Sequence, residues 1–148
     1  MKAFSFVIVL FLAFISHNKV QGQAAQQSFL INQTIVPNQS INILIDLPEK
    51  SCNVIRTKSK RILIEQNVLA NVNNSKIIDV LTKKGRYHLE AIEDKSFNSL
   101  TIRPQNTKGI IFIKGVQLSD PSQYTIYLPE NMHYRFANSN ATDLASTN

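Results

Sequence analysis

The sequence predicts an all-β domain of about eight short strands, arranged either as a compact sandwich or as a short β-solenoid. Three observations lead to this prediction. Apolar and polar residues alternate over several short segments, which is the period of a strand with one buried face. Turn-forming residues separate these segments at intervals of about 8–15 residues. A single segment, near residues 76–84, has helical spacing instead and predicts one short helix.

Two of the strands end on the same Ile-x-Leu-Pro-Glu pattern, one in residues 41–49 and the other in residues 123–130. Proline ends each strand because it has no N–H to donate to a neighbouring strand. The two copies are either an internal repeat or two independent cases of a common strand ending. The apolar residues of one parity are predicted to be buried: Ile41, Ile43, Ile45, Leu47, Tyr124, Ile126 and Leu128. Asn42 lies on the opposite parity and is expected to face solvent.

The same alternation predicts the remaining strands. They are expected in residues 29–35, 54–72, 86–92, 99–103, 110–114 and 132–136. The long segment 54–72 has basic and then apolar residues on one parity, so a turn or bulge is expected near residues 59–61. Residues 93–95 are expected to form a turn. The segment 110–114 is apolar on both parities, which is typical of a central strand covered on both faces.

The predicted helix spans residues 76–84. Three apolar residues recur at helical spacing and are expected to face the core: Ile77, Ile78 and Leu81. Ser75 is expected to be the N-cap, because its hydroxyl can accept a hydrogen bond from a free amide of the first turn. Gly85 stands where a left-handed residue usually follows a helix.

Residues 1–22 have the pattern of a secretory signal peptide. Lys2 gives a basic start, residues 3–15 are apolar, and a polar segment leads to a cleavage junction between Gly22 and Gln23. The apolar run is too short for a membrane span, although a retained anchor is the alternative. The expected organisation is a signal peptide at 1–22, a single all-β domain at 23–137 and a polar, disordered tail at 138–148. The protein is therefore expected to be exported, and to be periplasmic, associated with the outer envelope or secreted.

Composition excludes several classes of protein. The chain has 148 residues and a formal net charge of +6, which loss of Lys2 and Lys19 with the signal peptide would reduce. So mild a charge, with no aromatic residues interleaved among the basic ones, argues against a nucleic-acid partner. Cys52 is the only cysteine, so no internal disulfide can form. No cofactor is expected, because the sequence has neither a phosphate-binding loop nor a dinucleotide-binding motif.

Residues 81–131 contain the strings LTKKGRYHLE, LTIRP, IIFIKG and YTIYLPEN. These strings resemble a group of short exported bacterial proteins of unknown function. That group is similar in turn to the adhesin-like GIN-domain proteins of the bacterial envelope, whose strands repeatedly end in a hydrophobic residue followed by proline. The resemblance covers roughly a third to a half of the mature chain and consists of strand-and-turn patterns. It implies an exported β-rich protein and no catalytic residues, and the chain lacks the glycine-rich repeats of the longer members.

Few residues are candidates for chemistry. Cys52 with His88 or His133 could form a thiol–imidazole pair. The alternative is a half-buried cysteine and two surface histidines, because no nucleophile signature surrounds Cys52. The nearest approach to a metal site is a set of three carboxylates: Glu90, Glu93 and Asp94. Since they flank a strand end, a solvated hairpin turn is expected there and no metal is expected.

One run of basic residues is a candidate for contact with an anionic surface: Arg56, Lys58, Lys60 and Arg61. On a strand, the first three would project from one face and could contact the phosphates of lipopolysaccharide or of another surface polyanion. The alternative is a charged edge or turn that prevents two sheets from associating.

These observations predict a non-catalytic, exported β-rich protein that acts as a binding or structural module. The alternative is a small exported enzyme, or an enzyme accessory, that uses Cys52 with a histidine. The last predicted strand, residues 132–136, is expected to be an edge strand that pairs with a second copy or with another envelope β-protein. In the opposing hypothesis the protein is a monomer and the tail after Ala137 covers this edge.

Overall fold

The computed structural model describes residues 26–38 and 41–137. These residues form ten strands, one α-helix and one turn of 3-10 helix (Glu49–Ser51). The strands and the α-helix are β1 (Gln27–Ile35), β2 (Asn42–Ile45), β3 (Cys52–Thr57), β4 (Ile62–Ala70), α1 (Ser75–Lys83), β5 (Leu89–Asp94), β6 (Ser99–Pro104), β7 (Phe112–Ile113), β8 (Val116–Gln117), β9 (Ser122–Pro129) and β10 (His133–Phe136). The predicted all-β class with one short helix is confirmed. The predicted signal peptide, its junction at Gly22 and Gln23, and the tail at 138–148 lie outside the described residues.

The strands form two four-stranded sheets and a small hairpin. One sheet has the order β1-β4-β9-β3, the other has the order β10-β2-β6-β5, and β7 pairs with β8. Both larger sheets are mixed. In the first sheet β3 runs parallel to β9, and in the second β2 runs parallel to both β6 and β10, whereas the other neighbours are antiparallel.

The two larger sheets share one apolar core, which is the arrangement of a sandwich. Its members come from the inward-facing parity of β2 and β6 in one sheet and of β4 and β9 in the other. The residues predicted to be buried include Ile43, Ile45, Ile126 and Leu128, and each is at most 1% exposed. Ile41, predicted to be on the same face, is exposed because it precedes β2 at the margin of the sheet.

A second apolar cluster lies under α1. It contains Val68 and Ala70 from the end of β4, Ile78 from the helix, and Tyr87 and Leu118 from the loops. Ile77 and Leu81 also pack against this cluster, so the predicted apolar face of the helix is confirmed. With nine residues, α1 is too short to cross a membrane, and the described residues contain no helix that could do so.

The ends of α1 differ slightly from the prediction. The N-cap is Asn74 and not Ser75, because the Asn74 side chain accepts a hydrogen bond from the amide of Lys76 at 3.0 Å. At the other end Gly85 has a φ of +79° and donates its N–H to the Thr82 carbonyl. Together with a bond from the next amide to the Leu81 carbonyl, this forms a Schellman motif.

The prediction of a central strand at residues 110–114 is wrong. Only β7 forms there, and Ile110 and Phe112 are 74% and 66% exposed. Lys114 and Gly115 both have positive φ values, so the chain reverses directly after Ile113 and pairs with β8 in a short hairpin. One face of this hairpin packs on the second cluster, and the other face has nothing to cover it in the described residues.

The segment predicted as a strand at residues 86–92 is displaced along the chain. Tyr87 is buried but precedes β5, which begins at Leu89 and continues through Asp94. The turn predicted at residues 93–95 therefore forms after Asp94 instead. Its backbone is held by Asp94, whose carboxylate accepts hydrogen bonds from the amides of Ser96 and Phe97.

The two Ile-x-Leu-Pro-Glu segments form two arches with equivalent turns. The first Leu-Pro arch is residues 42–57 (β2 and β3) and the second is residues 122–136 (β9 and β10). In each arch the proline carbonyl accepts a hydrogen bond from the amide three residues later, that of Ser51 in the first and Met132 in the second. Each arch passes from one sheet to the other, and β2 pairs with β10 while β3 pairs with β9. This reciprocal pairing is the geometry expected of an internal repeat.

Side chains join the two sheets at both sides of the sandwich. The Gln33 amide on β1 accepts a hydrogen bond from the Leu89 N–H at 3.0 Å and lies within 3.1 Å of the His88 ring nitrogen. On the opposite side, Arg56 on β3 donates to carbonyls in the turn between β9 and β10. β10 itself is an edge strand, as predicted, whereas its pairing with another chain stays a prediction.

Candidate functional site

A cleft of about 730 Å³ opens between the two larger sheets, where β5 and β9 begin and β6 ends. The left-handed turn at Gly85 directs the chain from α1 into the wall of the cleft, and Pro104 ends β6 beside it. The polar residues that line the cleft include Gln66, Arg86, His88, Arg103, Lys108 and Ser122, and the acidic residues Asp46 and Glu90 line it as well. A cleft of this volume is of the size that binds small molecules.

Gln66 is the least expected residue of the cleft. It lies in the inward-facing row of β4, between Ile64 of the larger core and Val68 of the second cluster, and it is 1% exposed. Its Nε2 atom donates a hydrogen bond to the Ser122 hydroxyl at 2.9 Å, but its buried Oε1 atom has no hydrogen-bond partner among the described residues. Rotation of the amide by 180° would exchange the two atoms and still leave one of them unpaired.

Lys108 reaches into the cleft and meets the same serine. Its Nζ atom donates to the Ser122 hydroxyl at 3.0 Å and to the Asp120 carbonyl at 3.2 Å, and it lies 5.0 Å from the centre of the Tyr87 ring. Burial lowers the pKa of the Lys108 ammonium, and the nearby Arg86 charge lowers it further, against the opposing effect of the Asp120 carboxylate. Lysine and glutamine therefore converge on one hydroxyl group.

Arg86 and Asp120 form a buried ion pair behind Lys108. The guanidinium Nε and Nη2 atoms donate to the two carboxylate oxygens at 2.7 and 3.1 Å, and Nη1 donates to the Gly109 carbonyl at 2.8 Å. Burial raises the pKa of the Asp120 carboxyl, but the Arg86 hydrogen bonds and the Lys108 charge outweigh it, so that this pKa is lowered. The paired geometry indicates that these two residues hold the loops of the cleft in place.

Two further residues complete the walls. Tyr87 is 2% exposed, and its hydroxyl lies near Asp120 and Arg86 without forming a hydrogen bond of good geometry to either. Burial, followed by the Asp120 charge, raises the pKa of this hydroxyl, which is therefore neutral at physiological pH. Arg103 pairs with Glu90 at 2.6 Å near the surface, where such a pair contributes little to stability.

The basic run predicted to contact an anionic surface is not gathered on one strand face. β3 ends at Thr57, and Lys58, Lys60 and Arg61 are exposed in the turn that leads to β4, as the predicted break near residues 59–61 requires. Arg56 has a different environment. It donates to the Pro129 and Met132 carbonyls and lies 5.1 Å from the centre of the Tyr134 ring, so its contacts are within the fold.

Cys52 has the environment of a structural cysteine. It is half-buried and packs against the larger core, and burial, followed by the Glu49 charge, raises the pKa of its thiol to about 11. A thiol with this pKa is protonated at neutral pH and is a weak nucleophile. His88 and His133 are both exposed, and the Gln33 amide nitrogen lies 3.1 Å from the Nδ1 atom of His88.

The three carboxylates considered for a metal have other partners. Glu90 pairs with Arg103, Glu93 accepts two hydrogen bonds from Asn38, and Asp94 holds the turn after β5. Within residues 26–38 and 41–137, no three histidine, cysteine or acidic residues are grouped closely enough to hold a metal ion.

Comparisons of this chain with protein-family models, with curated proteins and with solved structures find no match. Sequence reasoning did not identify the cleft, because its residues come from five separate parts of the chain. Of the cleft residues, only Gln66 could have been noticed in the sequence. It is a polar residue at a position where the alternation of β4 predicts a buried apolar one, in the row of Ile62, Ile64, Val68 and Ala70.

Proposed function

We propose that the protein is an exported, non-catalytic β-rich binding module, and that its ligand occupies the cleft between the two larger sheets. The observation that carries this proposal is Gln66, a buried residue of the cleft lining whose amide oxygen has no hydrogen-bond partner among the described residues. The predicted signal peptide supports export to the envelope or the medium, and the resemblance to GIN-domain proteins agrees with an envelope role.

The energetics of Gln66 favour a functional reason for its presence. A buried polar atom without a partner costs about 1–3 kcal/mol of stability, and an apolar residue at this position would continue the core row between Ile64 and Val68. Selection for stability alone would favour an apolar side chain here. A polar atom kept next to an open cleft is what a site needs in order to orient a polar ligand.

The properties of Cys52 favour binding over thiol catalysis. Its raised pKa leaves little thiolate at neutral pH, and its packing against the larger core limits access to the sulfur. The unpaired Gln66 oxygen can accept a hydrogen bond but cannot act as a nucleophile or as a general base at ordinary pH.

Nuclear magnetic resonance can test this proposal on the purified protein. A panel of sugars, organic acids, amino acids and neutral polyols is added to isotope-labelled protein, and backbone amide shifts are followed. A ligand of the panel is expected to shift the amides of Gln66, Lys108 and Ser122. The matched control is Gln66→Leu, in which the same ligand should produce much smaller shifts because the hydrogen-bonding group at the base of the cleft is gone.

Shifts confined to other surfaces, such as the β7–β8 hairpin, would contradict the proposed site. Hydrolysis of esters, glycosides or peptides by the protein, lost on replacement of one residue, would contradict a non-catalytic role. The export part is tested separately by N-terminal sequencing of the natural protein. A sequence that begins at Gln23 is expected, and an intact Met1 would contradict export through the predicted signal peptide.

A further inference from the structure

Lys108 is a cation whose hydrogen-bond partners in the cleft are neutral. Its ammonium group donates to a hydroxyl, that of Ser122, and to a backbone carbonyl, that of Asp120. An ammonium group has three N–H donors, so these two bonds leave one donor that can point into the cleft. This arrangement holds the charge in a fixed position without neutralising it.

Apart from Asp46, the other charges around the cleft are paired with one another. Arg86 and Asp120 form the buried ion pair, and Arg103 pairs with Glu90. The group formed by Arg86, Asp120 and Lys108 therefore contains two cations and one anion, which leaves one positive charge in excess. Asp46 also lines the cleft, but its side chain is on the exposed margin.

We infer that the cleft binds a small organic anion whose carboxylate or phosphate group is held by Lys108; this inference rests on the proposed function. A hydrogen bond between an ammonium group and an anionic oxygen is stronger than one between neutral groups. The formal net charge of +6, which falls to +4 (6 − 2) when Lys2 and Lys19 are lost with the signal peptide, would favour the approach of such a ligand.

The position of Gln66 adds a second requirement on the ligand. Gln66 and Lys108 both hydrogen-bond the Ser122 hydroxyl, at 2.9 and 3.0 Å, so the amide and the ammonium lie on either side of one oxygen atom. A ligand that places its anionic group at Lys108 and carries a neighbouring hydroxyl can bond the ammonium directly, and can bond the Gln66 amide once that side chain turns towards the cleft. The inferred class is therefore hydroxylated anions, such as sugar acids and sugar phosphates, and the volume of about 730 Å³ accommodates them.

Calorimetric titration with three matched sugars tests this inference. D-Glucuronate carries a carboxylate, D-glucose 6-phosphate carries a phosphate, and D-glucose has the same ring without either group. At constant ionic strength at least one of the two anions is expected to bind at least about tenfold more tightly than glucose. Which of the two binds more tightly distinguishes a carboxylate ligand from a phosphate ligand.

Three lysine variants locate the charge that matters. Lys108→Met should weaken binding of the anion by about tenfold or more, whereas Lys108→Arg keeps the charge and should retain most of the affinity. Lys60→Met is the matched control, because it removes the same charge from the exposed turn between β3 and β4. Amide shifts of Lys108 and Ser122 in the unmodified protein report the position of the anion without any substitution.

Several outcomes would overturn the inference. Equal affinity for glucose and for the anions, or anion binding that survives Lys108→Met, would show that Lys108 does not select a charged ligand. Loss of binding in Lys60→Met alone would place the anion on the basic run. Absence of binding by either anion also overturns it. The proposed function has its own test, because neutral ligands that shift the cleft amides would support it even if every anion failed.

Discussion

Gln66→Leu should increase the free energy of unfolding although it removes a hydrogen bond. The bond from Gln66 Nε2 to the Ser122 hydroxyl contributes about 1 kcal/mol, whereas the unpaired Oε1 atom costs about 1–3 kcal/mol. Ser122 keeps Lys108 as a partner and is not left unpaired. Leucine has a similar volume and continues the apolar row of β4, so we expect a net gain of roughly 0.5–2 kcal/mol.

The measurement is urea unfolding followed by far-ultraviolet circular dichroism. The midpoint should rise with little change in slope, since the same surface is exposed on unfolding. In a domain of this size the gain corresponds to an increase in melting temperature of roughly 2–8 °C. The variant should be more stable and should bind the cleft ligand more weakly, and this combination would not be expected of a purely structural residue.

Gln33→Leu is the matched control, because both the oxygen and the nitrogen of the Gln33 amide have hydrogen-bond partners. Its Oε1 accepts from the Leu89 N–H at 3.0 Å, and its Nε2 lies within reach of the His88 ring and the Leu89 carbonyl. The same substitution there should therefore cost about 1–2 kcal/mol. If Gln66→Leu destabilises the protein as much as Gln33→Leu does, then Gln66 is satisfied in solution and the reasoning from its unpaired oxygen is wrong.

Four further results are expected. Ile43→Ala should cost about 2–4 kcal/mol in a denaturant melt, whereas Asn42→Ala should be nearly silent, and equal effects would contradict the burial of alternate residues. Asp120→Asn should cost about 3–5 kcal/mol near pH 7, because it leaves the buried guanidinium without its carboxylate. The pKa of Asp120 is lowered in the fold, so the carboxylate's contribution to the free energy of unfolding is present above about pH 4 and is lost as the pH falls. In Asp120→Asn the free energy of unfolding should therefore decrease less in acid than it does in the unmodified protein. An unchanged pH profile would contradict this. The Cys52 thiol should react with a maleimide more slowly than a free thiol at pH 7, because its pKa is about 11, and faster labelling would revive the thiol hypothesis. Light scattering should show association through the β10 edge, both with and without residues 138–148. If both proteins are monomeric, and crosslinking in the natural envelope recovers no partner, pairing through this edge is ruled out.

Local alternation was enough to predict much of the fold. In β2 and β9 the apolar residues of one parity are buried, because a strand places alternate side chains on opposite faces regardless of its neighbours. The helix was predicted for the same reason, since three residues at helical spacing define one face. The choice of Asn74 over Ser75 as N-cap depends on a single backbone angle, which residue type does not determine.

The failures depend on tertiary structure. Ile110 and Phe112 are as apolar as core residues, and only the packing of the neighbouring loop shows that they are exposed. Arg56 belongs to a basic run in the sequence, but it reaches carbonyls that lie more than 70 positions away along the chain. The cleft could not be predicted from the sequence for the same reason, because Gln66, Lys108 and Ser122 approach one another only after both sheets have formed.

The reciprocal pairing of the two Leu-Pro arches has a consequence for the order in which the chain can fold during synthesis. β3 has β9 as its sheet neighbour, so it must wait, unpaired, for residues 122–129. The larger core lacks Ile126 and Leu128 over the same interval. Contacts between residues so far apart along the chain are slow to form, so most of the chain is made before the native structure can close. A chain whose core is completed only by the second Leu-Pro arch stays unfolded for longer during its synthesis. This suits passage through a secretion channel, which the predicted signal peptide implies.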